Sequence, residues 1–227
     1  MIGTLYIVAT PIGNLEDITL RALRILKEVD YILCEDTRTT KKLLDKYDIK
    51  TKTISYHAHS TEAKELSIMN MLKSGENLAM VSDAGTPCIS DPGVLLISNI
   101  YKEFKGEALI VPIPGPSALV AALSASGVSS AEFTFLGFLP QKKGRETIFR
   151  KIANSKRVMV FYESTHRILK TLSSLNTHCP QFHIVIGREL TKKFEEFIHG
   201  TPDKILEYLT NNTEKQKGEF VVIVEPR

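Results

Sequence analysis

The sequence is organised around one polar segment, Val81-Ser82-Asp83-Ala84-Gly85-Thr86-Pro87-Cys88-Ile89-Ser90-Asp91-Pro92-Gly93. The apolar run Leu78–Val81 precedes it and the apolar run 94–97 follows it, which predicts a buried strand and then a helix. Pro92 suits the first helical position, with Asp91 as the N-cap. An ordinary strand-to-helix connection needs only about two to six residues. Because this connection is longer, a ligand-binding loop is favoured over a plain link.

The bulk properties are those of an ordinary globular protein with a mild basic lean. At 227 residues the chain is long enough for one large domain or two small ones, and its net charge of +3 suggests an anionic partner without requiring one. Cys34, Cys88 and Cys179 are odd in number and far apart, which argues against a disulfide framework and fits a reducing cytoplasm. No apolar run approaches the ~18 residues of a membrane span. The chain enters a predicted strand at once, so no signal peptide is expected.

The first half of the chain alternates strands with helices. Strands are predicted at residues 5–9, 31–34, 52–56, 78–81 and 108–111. Helices are predicted at residues 17–29 and 92–104. Two more are predicted between them: one begins after a cap at Asp36 or Thr37, and the other ends at Gly75. This alternation specifies a parallel sheet covered by helices, as in an α/β fold.

A proline-rich segment at residues 112–118 marks the predicted domain boundary, with residues 1–114 and 115–227 as two α/β domains. The second half is predicted to contain strands at residues 133–138, 157–162, 182–188, 194–199 and 219–224. Its helices are predicted at residues 117–126, 145–153, 164–175 and 202–209. Two adjacent strands near the end imply an antiparallel hairpin, so this second sheet should be mixed.

Three loops of the first domain carry the most suggestive composition. The G-x-G-x-x-G and G-x-x-x-x-G-K-[ST] patterns are missing, which makes a Rossmann dinucleotide site and a P-loop unexpected. Instead, Pro- and Gly-bearing loops at residues 10–14, 83–93 and 112–118 follow predicted strands. Loops after parallel strands share one edge of the sheet, so these three should converge on a cleft facing the second domain. Backbone groups could hold a small, polar, non-phosphorylated cofactor there.

The histidines and cysteines give weaker signals. His57 and His59 could share one face of a strand, but no third ligand has a recognisable spacing, so no metal is expected. Cys88 lies beside Ile89 and is more consistent with a small packing residue than with a nucleophile.

Charge is concentrated in three places in the second half. Residues 142–157 contain seven lysines and arginines against one acid, Glu146. This segment is either a solvated helix face or a phosphate-contacting patch. Glu163-Ser164-Thr165-His166-Arg167 and Arg188-Glu189-Leu190-Thr191-Lys192-Lys193 each place a carboxylate close to a guanidinium after a predicted strand. Structural ion pairs and functional groups are both open explanations for these clusters.

Six stretches carry a resemblance to a known family, and they run in order over nearly the whole chain. They are residues 3–18, Glu35-Asp36-Thr37-Arg38, residues 81–93, Pro114-Gly115-Pro116-Ser117-Ala118, residues 161–167 and Arg188-Glu189-Leu190-Thr191-Lys192. In these stretches the chain resembles the ribosomal RNA small subunit methyltransferase I group of the tetrapyrrole methylase superfamily. Gly85-Thr86-Pro87 stands where tetrapyrrole methylases have Gly-Asp-Pro, which points to the ribosomal RNA branch.

The resemblance implies a cytoplasmic enzyme that methylates a cytidine ribose 2′-hydroxyl in the decoding region of 16S rRNA. It implies S-adenosylmethionine as the cofactor, a site between two α/β domains, the small-subunit rRNA or 30S particle as the partner, and a homodimer. Methylation of a small tetrapyrrole-like molecule, or a non-enzymatic basic RNA-binding module, are the alternatives. The cofactor-binding residues implied by the resemblance are Pro11, Asp83, Thr86, Pro87, Cys88, Ile89, Ser117, Ala118, Tyr162, Gly187 and Phe220.

Candidate RNA-binding and catalytic residues follow from the charge clusters and this resemblance. The expected RNA contacts are Lys142, Lys143, Arg145, Arg167, Arg188 and Lys192. Methyl transfer to a hydroxyl is an in-line displacement that depends on positioning, and a nearby base helps to remove the proton. The catalytic candidates are Glu163 as the base, His166 as the alternative base, and Arg38 as a phosphate-holding group. A purely structural ion pair of Glu163 with an arginine stays open beside this.

Overall fold

The computed structural model describes residues 1–91, 93–105 and 107–226. The chain divides into two compact units, the first at residues 1–117 and the second from Ala118 onward. The predicted boundary between residues 114 and 115 lies shortly before this division. Each unit has its own sheet and its own apolar core.

The first unit contains a parallel sheet of five strands, which confirms the predicted α/β fold. The strands are β1 (Thr4–Val8), β2 (Tyr31–Cys34), β3 (Lys52–Ser55), β4 (Leu78–Val81) and β5 (Leu109–Ile113). Their order across the sheet is β3-β2-β4-β1-β5, and all neighbouring pairs are parallel. The carboxyl ends of β4, β1 and β5 therefore lie side by side, which brings the three Pro- and Gly-bearing loops to one edge.

Helices cover both faces of this sheet. They are α1 (Leu20–Glu28), α2 (Thr37–Lys46), α3 (Glu62–Lys73) and α4 (Val94–Phe104). Alternate residues of a strand enter opposite layers, since Leu33 packs in the layer under α3 and α4 while its neighbours Ile32 and Cys34 pack under α1 and α2. Strands buried on both faces are typical of parallel sheets, and this explains their continuous apolar sequences.

The predicted N-cap agrees with the structure for α2 and differs from it for α4. The Asp36 carboxylate accepts the Arg38 N–H at 2.8 Å, so Asp36 caps α2 as one of the two predicted caps. The predicted cap of α4 is wrong, because this helix begins at Val94 with Gly93 as its N-cap at φ +127°. Asp91 instead hydrogen-bonds with the Ser82 side chain. Pro92, expected as the first helical residue, lies outside the described residues.

Pro112 lies inside β5, where the sequence suggested that the strand had already ended. Because β5 is the edge strand of its sheet, a residue without an N–H is tolerated there. The predicted rigid segment therefore begins within the sheet itself.

The second unit contains a mixed sheet of five strands, as predicted. Its elements are α5 (Ala118–Ala125), β6 (Phe133–Phe138), α6 (Arg145–Ala153), β7 (Val158–Ser164), α7 (Ile168–His178), β8 (His183–Arg188), β9 (Glu196–Gly200), α8 (Pro202–Asn211) and β10 (Glu219–Glu225). The strand order is β6-β7-β10-β8-β9. Only β6 and β7 are parallel, while β8 and β9 form the expected antiparallel hairpin.

The start of α7 differs from the prediction, because residue 164 ends a strand and the helix begins only at Ile168. The strand continues because Ser164 still lies opposite Glu219 of β10. None of the helices in the described part of the chain has the length and apolar character that a bilayer crossing requires.

The aromatic core of the second unit gives the first test. Phe161 is fully buried, so Phe161→Ala should lower the free energy of unfolding by about 3–5 kcal/mol. Phe194 is 64% exposed, and Phe194→Ala should cost at most about 1 kcal/mol. Urea unfolding followed by circular dichroism measures both changes. Equal losses for the two variants would contradict this assignment of the core.

Candidate functional site

The loops after β1 and β4 are joined by backbone pairing. Thr10 and Gly85 exchange N–H···O bonds of 2.9 and 3.0 Å, which form an isolated antiparallel bridge. The buried Thr10 hydroxyl also donates to the Ser82 carbonyl at 3.2 Å. The polar segment is therefore anchored at its start to the loop that follows the first strand.

The third loop joins the other two. The Thr86 hydroxyl donates to the Pro116 carbonyl at 3.1 Å. Gly115 passes so close to the first loop that an added Cβ would lie 3.0 Å from the Ala9 Cβ. The predicted convergence of these three loops at the sheet edge is thus confirmed within the first unit.

Two glycines allow the polar segment to follow its path. Gly85 has φ +80°, and a Cβ there would lie 3.3 Å from Ile12 Cγ2. Gly93 has φ +127°, and a Cβ would lie 2.6 Å from the Cys88 sulfur. Larger residues would meet both strain and a close neighbour at these positions. The result is a tightly turned backbone cradle, which fits a ligand held mainly through main-chain groups.

The cofactor-binding residues predicted in the first unit differ in exposure. Asp83 and Ile89 are exposed, Thr86, Cys88, Ser117 and Ala118 are half-buried, and Pro11 and Pro87 are buried. The exposed residues are available to a ligand through their side chains. The buried prolines can contribute only as scaffold or through their carbonyls.

Cys88 behaves as a packing residue. Its sulfur lies 3.7 Å from the Met80 sulfur. Burial, with a further contribution from Asp91, raises the pKa of the Cys88 thiol to about 11. The thiol is therefore protonated at neutral pH, which does not suit a nucleophile.

Carboxyl groups crowd the same edge of the sheet, a feature that the sequence reading missed. Asp83 accepts the Asp36 N–H at 3.2 Å. Burial raises the pKa of the Glu35 carboxyl, and Asp83 and Asp91 raise it further. The Arg38 hydrogen bond holds the pKa of Asp36 at about 2. Arg38 itself is 88% exposed, so its guanidinium is accessible at the start of α2.

The two neighbouring histidines interact with each other, with their ring centroids 6.3 Å apart. The His57 Nδ1 accepts the His59 backbone N–H at 3.2 Å. The described residues contain no group of three or more His, Cys, Asp or Glu side chains placed to hold a metal ion.

A basic pocket lies in the second unit, and it brings together several predicted residues. It is a cavity of about 370 Å³ lined by Gln141, Lys142, Arg145, Ser164, His166, Arg167 and Lys170. Lys143, Arg188 and Lys192 are not among the lining residues. Lys170 was missed by the sequence reading, although its position three residues after Arg167 on one helix face could have indicated it.

Glu163 does not have the surroundings of a general base. Its side chain is fully buried. Oε1 accepts the Ser164 N–H at 2.8 Å and pairs with the Arg167 Nε at 3.2 Å, while Oε2 accepts the Thr171 hydroxyl at 2.6 Å. Neither oxygen is accessible to an acceptor hydroxyl, which favours the structural ion pair over the predicted role as a base.

Arg145 is also buried, although it belongs to the basic segment 142–157. It is 9% exposed, and its guanidinium lies 4.9 Å from the centre of the Phe149 ring. One terminal nitrogen donates to the Thr171 hydroxyl at 2.9 Å. Burial lowers the pKa of this guanidinium, and the Glu163 carboxylate opposes that shift. The segment is therefore not a uniform solvated face.

The side chains of Arg188 and Lys192 bond to other groups of the protein, although the sequence predicted both as RNA contacts. Arg188 is 7% exposed and donates to the carbonyls of Lys217, Phe194 and Glu214 at 3.0, 3.0 and 3.5 Å. Lys192 pairs with Glu189 at 3.0 Å and with Glu219 at 2.9 Å. These loops enclose the Arg188 guanidinium, which favours a structural role over the predicted RNA contact.

The cofactor-binding residues predicted in the second unit lie on strands. Tyr162 is half-buried and packs edge-on against the Phe135 and Phe138 rings, at 5.0 and 5.4 Å between centroids. Phe220 belongs to the apolar core, and Gly187 is closely covered by Leu190. Phe220 and Gly187 are thus available only through their backbone.

Comparisons with known proteins identify relatives over nearly the whole chain. The family model described as Tetrapyrrole (Corrin/Porphyrin) Methylases matches residues 4–206. A Ribosomal RNA small subunit methyltransferase I from Halalkalibacterium halodurans is 49% identical over 98% of this chain and 76% of its own length. The protein of the same name from Bacillus subtilis is 45% identical over 98% of this chain and 75% of its own.

Solved structures share the fold at low identity. Diphthine synthase superposes with a TM-score of 0.74 and 13% identity, over 99% of this chain and 90% of that one. A Thermus thermophilus uroporphyrin-III C-methyltransferase, complexed with S-adenosyl homocysteine, has a TM-score of 0.65 and 16% identity over 98% and 97%.

The role of Arg188 can be tested by stability. Arg188→Met removes the donors to three carbonyls, so it should lower the free energy of unfolding by about 2–4 kcal/mol. Lys192→Met removes only a partly exposed ion pair and should cost about 1 kcal/mol or less. Urea unfolding compares the two variants. Wild-type stability for Arg188→Met would mean that the guanidinium is not structural.

Proposed function

The chain belongs to the ribosomal RNA small subunit methyltransferase I family of the tetrapyrrole methylases, and from this we propose that it methylates the ribose 2′-hydroxyl of a cytidine in the decoding region of 16S rRNA. The activity shared by the family is that of an S-adenosylmethionine-dependent rRNA methyltransferase. The proposal rests above all on the 49% identity to a Ribosomal RNA small subunit methyltransferase I over 98% of the chain. A homodimer and a cytoplasmic location, both implied by family resemblance, remain proposals.

The backbone cradle of the first unit supports the cofactor assignment. We propose that residues 86–89 hold S-adenosylmethionine through main-chain groups, with Asp83 offering an exposed carboxylate. Bound there, the cofactor supplies a methyl group activated by its sulfonium. Thr86 fixes the cradle through its bond to Pro116, so its role is positioning. Pro11, Ser117, Ala118, Tyr162, Gly187 and Phe220 stay predicted contacts.

The substrate side is supported by exposed cations. Lys142 and Lys143 are exposed at the start of α6, and Arg38 is exposed at the start of α2. Cations at such positions contact backbone phosphates without reading sequence. Lys192 remains a weaker candidate because two carboxylates already hold its ammonium.

Catalysis in this proposal depends mainly on positioning. An aligned hydroxyl and methyl donor already lower the barrier, because the reaction becomes effectively unimolecular. With Glu163 buried, His166 is the remaining candidate base, since it is exposed beside Arg167. A positioned base contributes about 10²–10⁴-fold, so His166→Gln should lower kcat by that factor if the imidazole takes the proton.

The proposal predicts a defined methylated product. Small ribosomal subunits that lack the modification should accept a methyl group from labelled S-adenosylmethionine, because the chain supplies both the cradle and the cationic contacts. Nuclease digestion and mass spectrometry should identify 2′-O-methylcytidine from the decoding region. Subunits that already carry the modification are the control.

Three results would contradict this assignment. Methylation of a base instead of a ribose would show that the 2′-hydroxyl is not the acceptor. Transfer to a tetrapyrrole with none to subunits would favour the small-molecule alternative, and RNA binding without any transfer would favour a binding module.

A further inference from the structure

The basic pocket lies at a point where the topology of the second unit concentrates positive potential. β6 and β7 are parallel neighbours, so their carboxyl ends share one edge. The chain leaves each strand at this edge and enters α6 or α7. Lys142 and Arg145 come from the first connection, and His166 and Arg167 from the second.

Both helices begin at this pocket without a side-chain cap. The N-cap of α6 is Gly144, which has no side chain, and the N-cap of α7 is Arg167, whose guanidinium is a donor only, so no side chain accepts a bond from either first turn. Arg145 is the first residue of α6, and Lys170 lies in the first turn of α7. The positive ends of two helix dipoles thus add to the charge of the lining residues, which favours an anion.

One donor in the pocket lacks a partner. The Arg145 side chain is 9% exposed, and its Nε forms no hydrogen bond with the described residues. The other nitrogens of the group donate to Thr171 at 2.9 Å and to the Pro140 carbonyl at 3.4 Å. A buried N–H without an acceptor is unfavourable, so this guanidinium keeps part of its positive charge unsatisfied behind the wall of the pocket, which favours an anion in the cavity.

A buried relay holds the two arginines of the pocket in place. Thr171 accepts from Arg145 at 2.9 Å and donates to Glu163 at 2.6 Å. Glu163 pairs with Arg167 at 3.2 Å, and Arg167 also donates to the Leu139 carbonyl. Glu163 and Thr171 are therefore positioning residues, which fix two guanidinium groups before any ligand binds.

We infer that this pocket is a preorganised site for one phosphate of the substrate RNA backbone, together with its ribose. The inference rests on the proposed function and names a specific subsite for it. Lys142, Arg145, Arg167 and Lys170 surround the cavity, and no carboxylate belongs to the lining. Fixed guanidinium groups and exposed lysine ammonium groups attract a phosphate, and a cavity of about 370 Å³ has room for the attached sugar.

The direct test uses Lys170, which is exposed, so its substitution should leave the fold intact. Lys170→Gln should weaken binding of a short fluorescein-labelled RNA about three- to tenfold in anisotropy titrations. It should also lower the slope of log K against log salt by ~0.7 to 0.9, the value for one lost phosphate contact. Lys204→Gln is the matched control, because Lys204 is an exposed helical lysine of the same unit outside the pocket.

The relay has its own test. Thr171→Val keeps the side-chain shape but breaks the link between Arg145 and Glu163, so it should weaken RNA binding and lower the same salt slope. Thr171→Ser restores the hydroxyl and should recover both values. An effect on unfolding alone, with RNA affinity and slope unchanged, would overturn the positioning role.

The source of the phosphate is distinguished by two probes. Wild-type protein should bind an RNA whose linkages are neutral methylphosphonates more weakly, and for Lys170→Gln this difference should be smaller by about the three- to tenfold that one phosphate contact contributes. Competition by inorganic phosphate, without any effect of Lys170→Gln on RNA binding, would overturn the RNA site in favour of a free-anion site. Unchanged affinity in every arm would mean a purely structural ion cluster.

Failure of this inference is separable from failure of the proposed function. If Lys170→Gln methylates small subunits at the wild-type rate and binds RNA with unchanged affinity, the pocket is not an RNA site, but the proposed enzymatic function stands. If RNA binding depends on the pocket but no methyl transfer occurs, the phosphate site is supported and the proposed enzymatic function is rejected.

Discussion

The backbone pairing of Thr10 with Gly85 is the constraint on which the site of the first unit depends. Two N–H···O bonds tie the loop after β1 to the loop after β4, and they require the positive φ of Gly85. The strand order places β1 between β4 and β5, so the third loop lies within reach of both. The bond from Thr86 to Pro116 then closes the cradle. The geometry of the cradle is thus linked to sheet topology through three short contacts.

The second unit depends on a buried charge instead. Removing a carboxylate from water is costly unless cations and donors surround it, and Glu163 has Arg167, Thr171 and a backbone N–H as partners. These partners fix the guanidinium groups on the pocket side. In the proposed pocket, a residue that looked catalytic in the sequence therefore acts through the arginines it positions.

The sequence predicted the fold class, the parallel and mixed sheets and the convergence of three loops, because these follow from apolar periodicity and from Pro and Gly. It did not show which way the charged residues at strand ends point. The alternation of side chains along a strand does indicate the direction of Glu163. Met159 and Phe161 face the core, and Glu163 is the next residue on that face. Likewise, Arg188 continues the inward face of Ile184 and Ile186. The Arg188 partners Lys217 and Glu214 come from a distant segment, which local patterns do not identify. The Glu163 partners Arg167 and Thr171 are only four and eight residues away, so their spacing could have indicated the pairing.

The most direct test of the account is whether the cradle binds the methyl donor and depends on Gly85. Calorimetry should show S-adenosylmethionine and S-adenosylhomocysteine binding to the wild-type protein. Gly85→Ala, strained at φ +80° and close to Ile12, should bind at least about tenfold more weakly. Gly127→Ala is the control, because Gly127 has φ +69° but no atom near an added Cβ, and it should bind normally. Absence of binding to folded wild-type protein, or equal affinity for Gly85→Ala, would contradict the account.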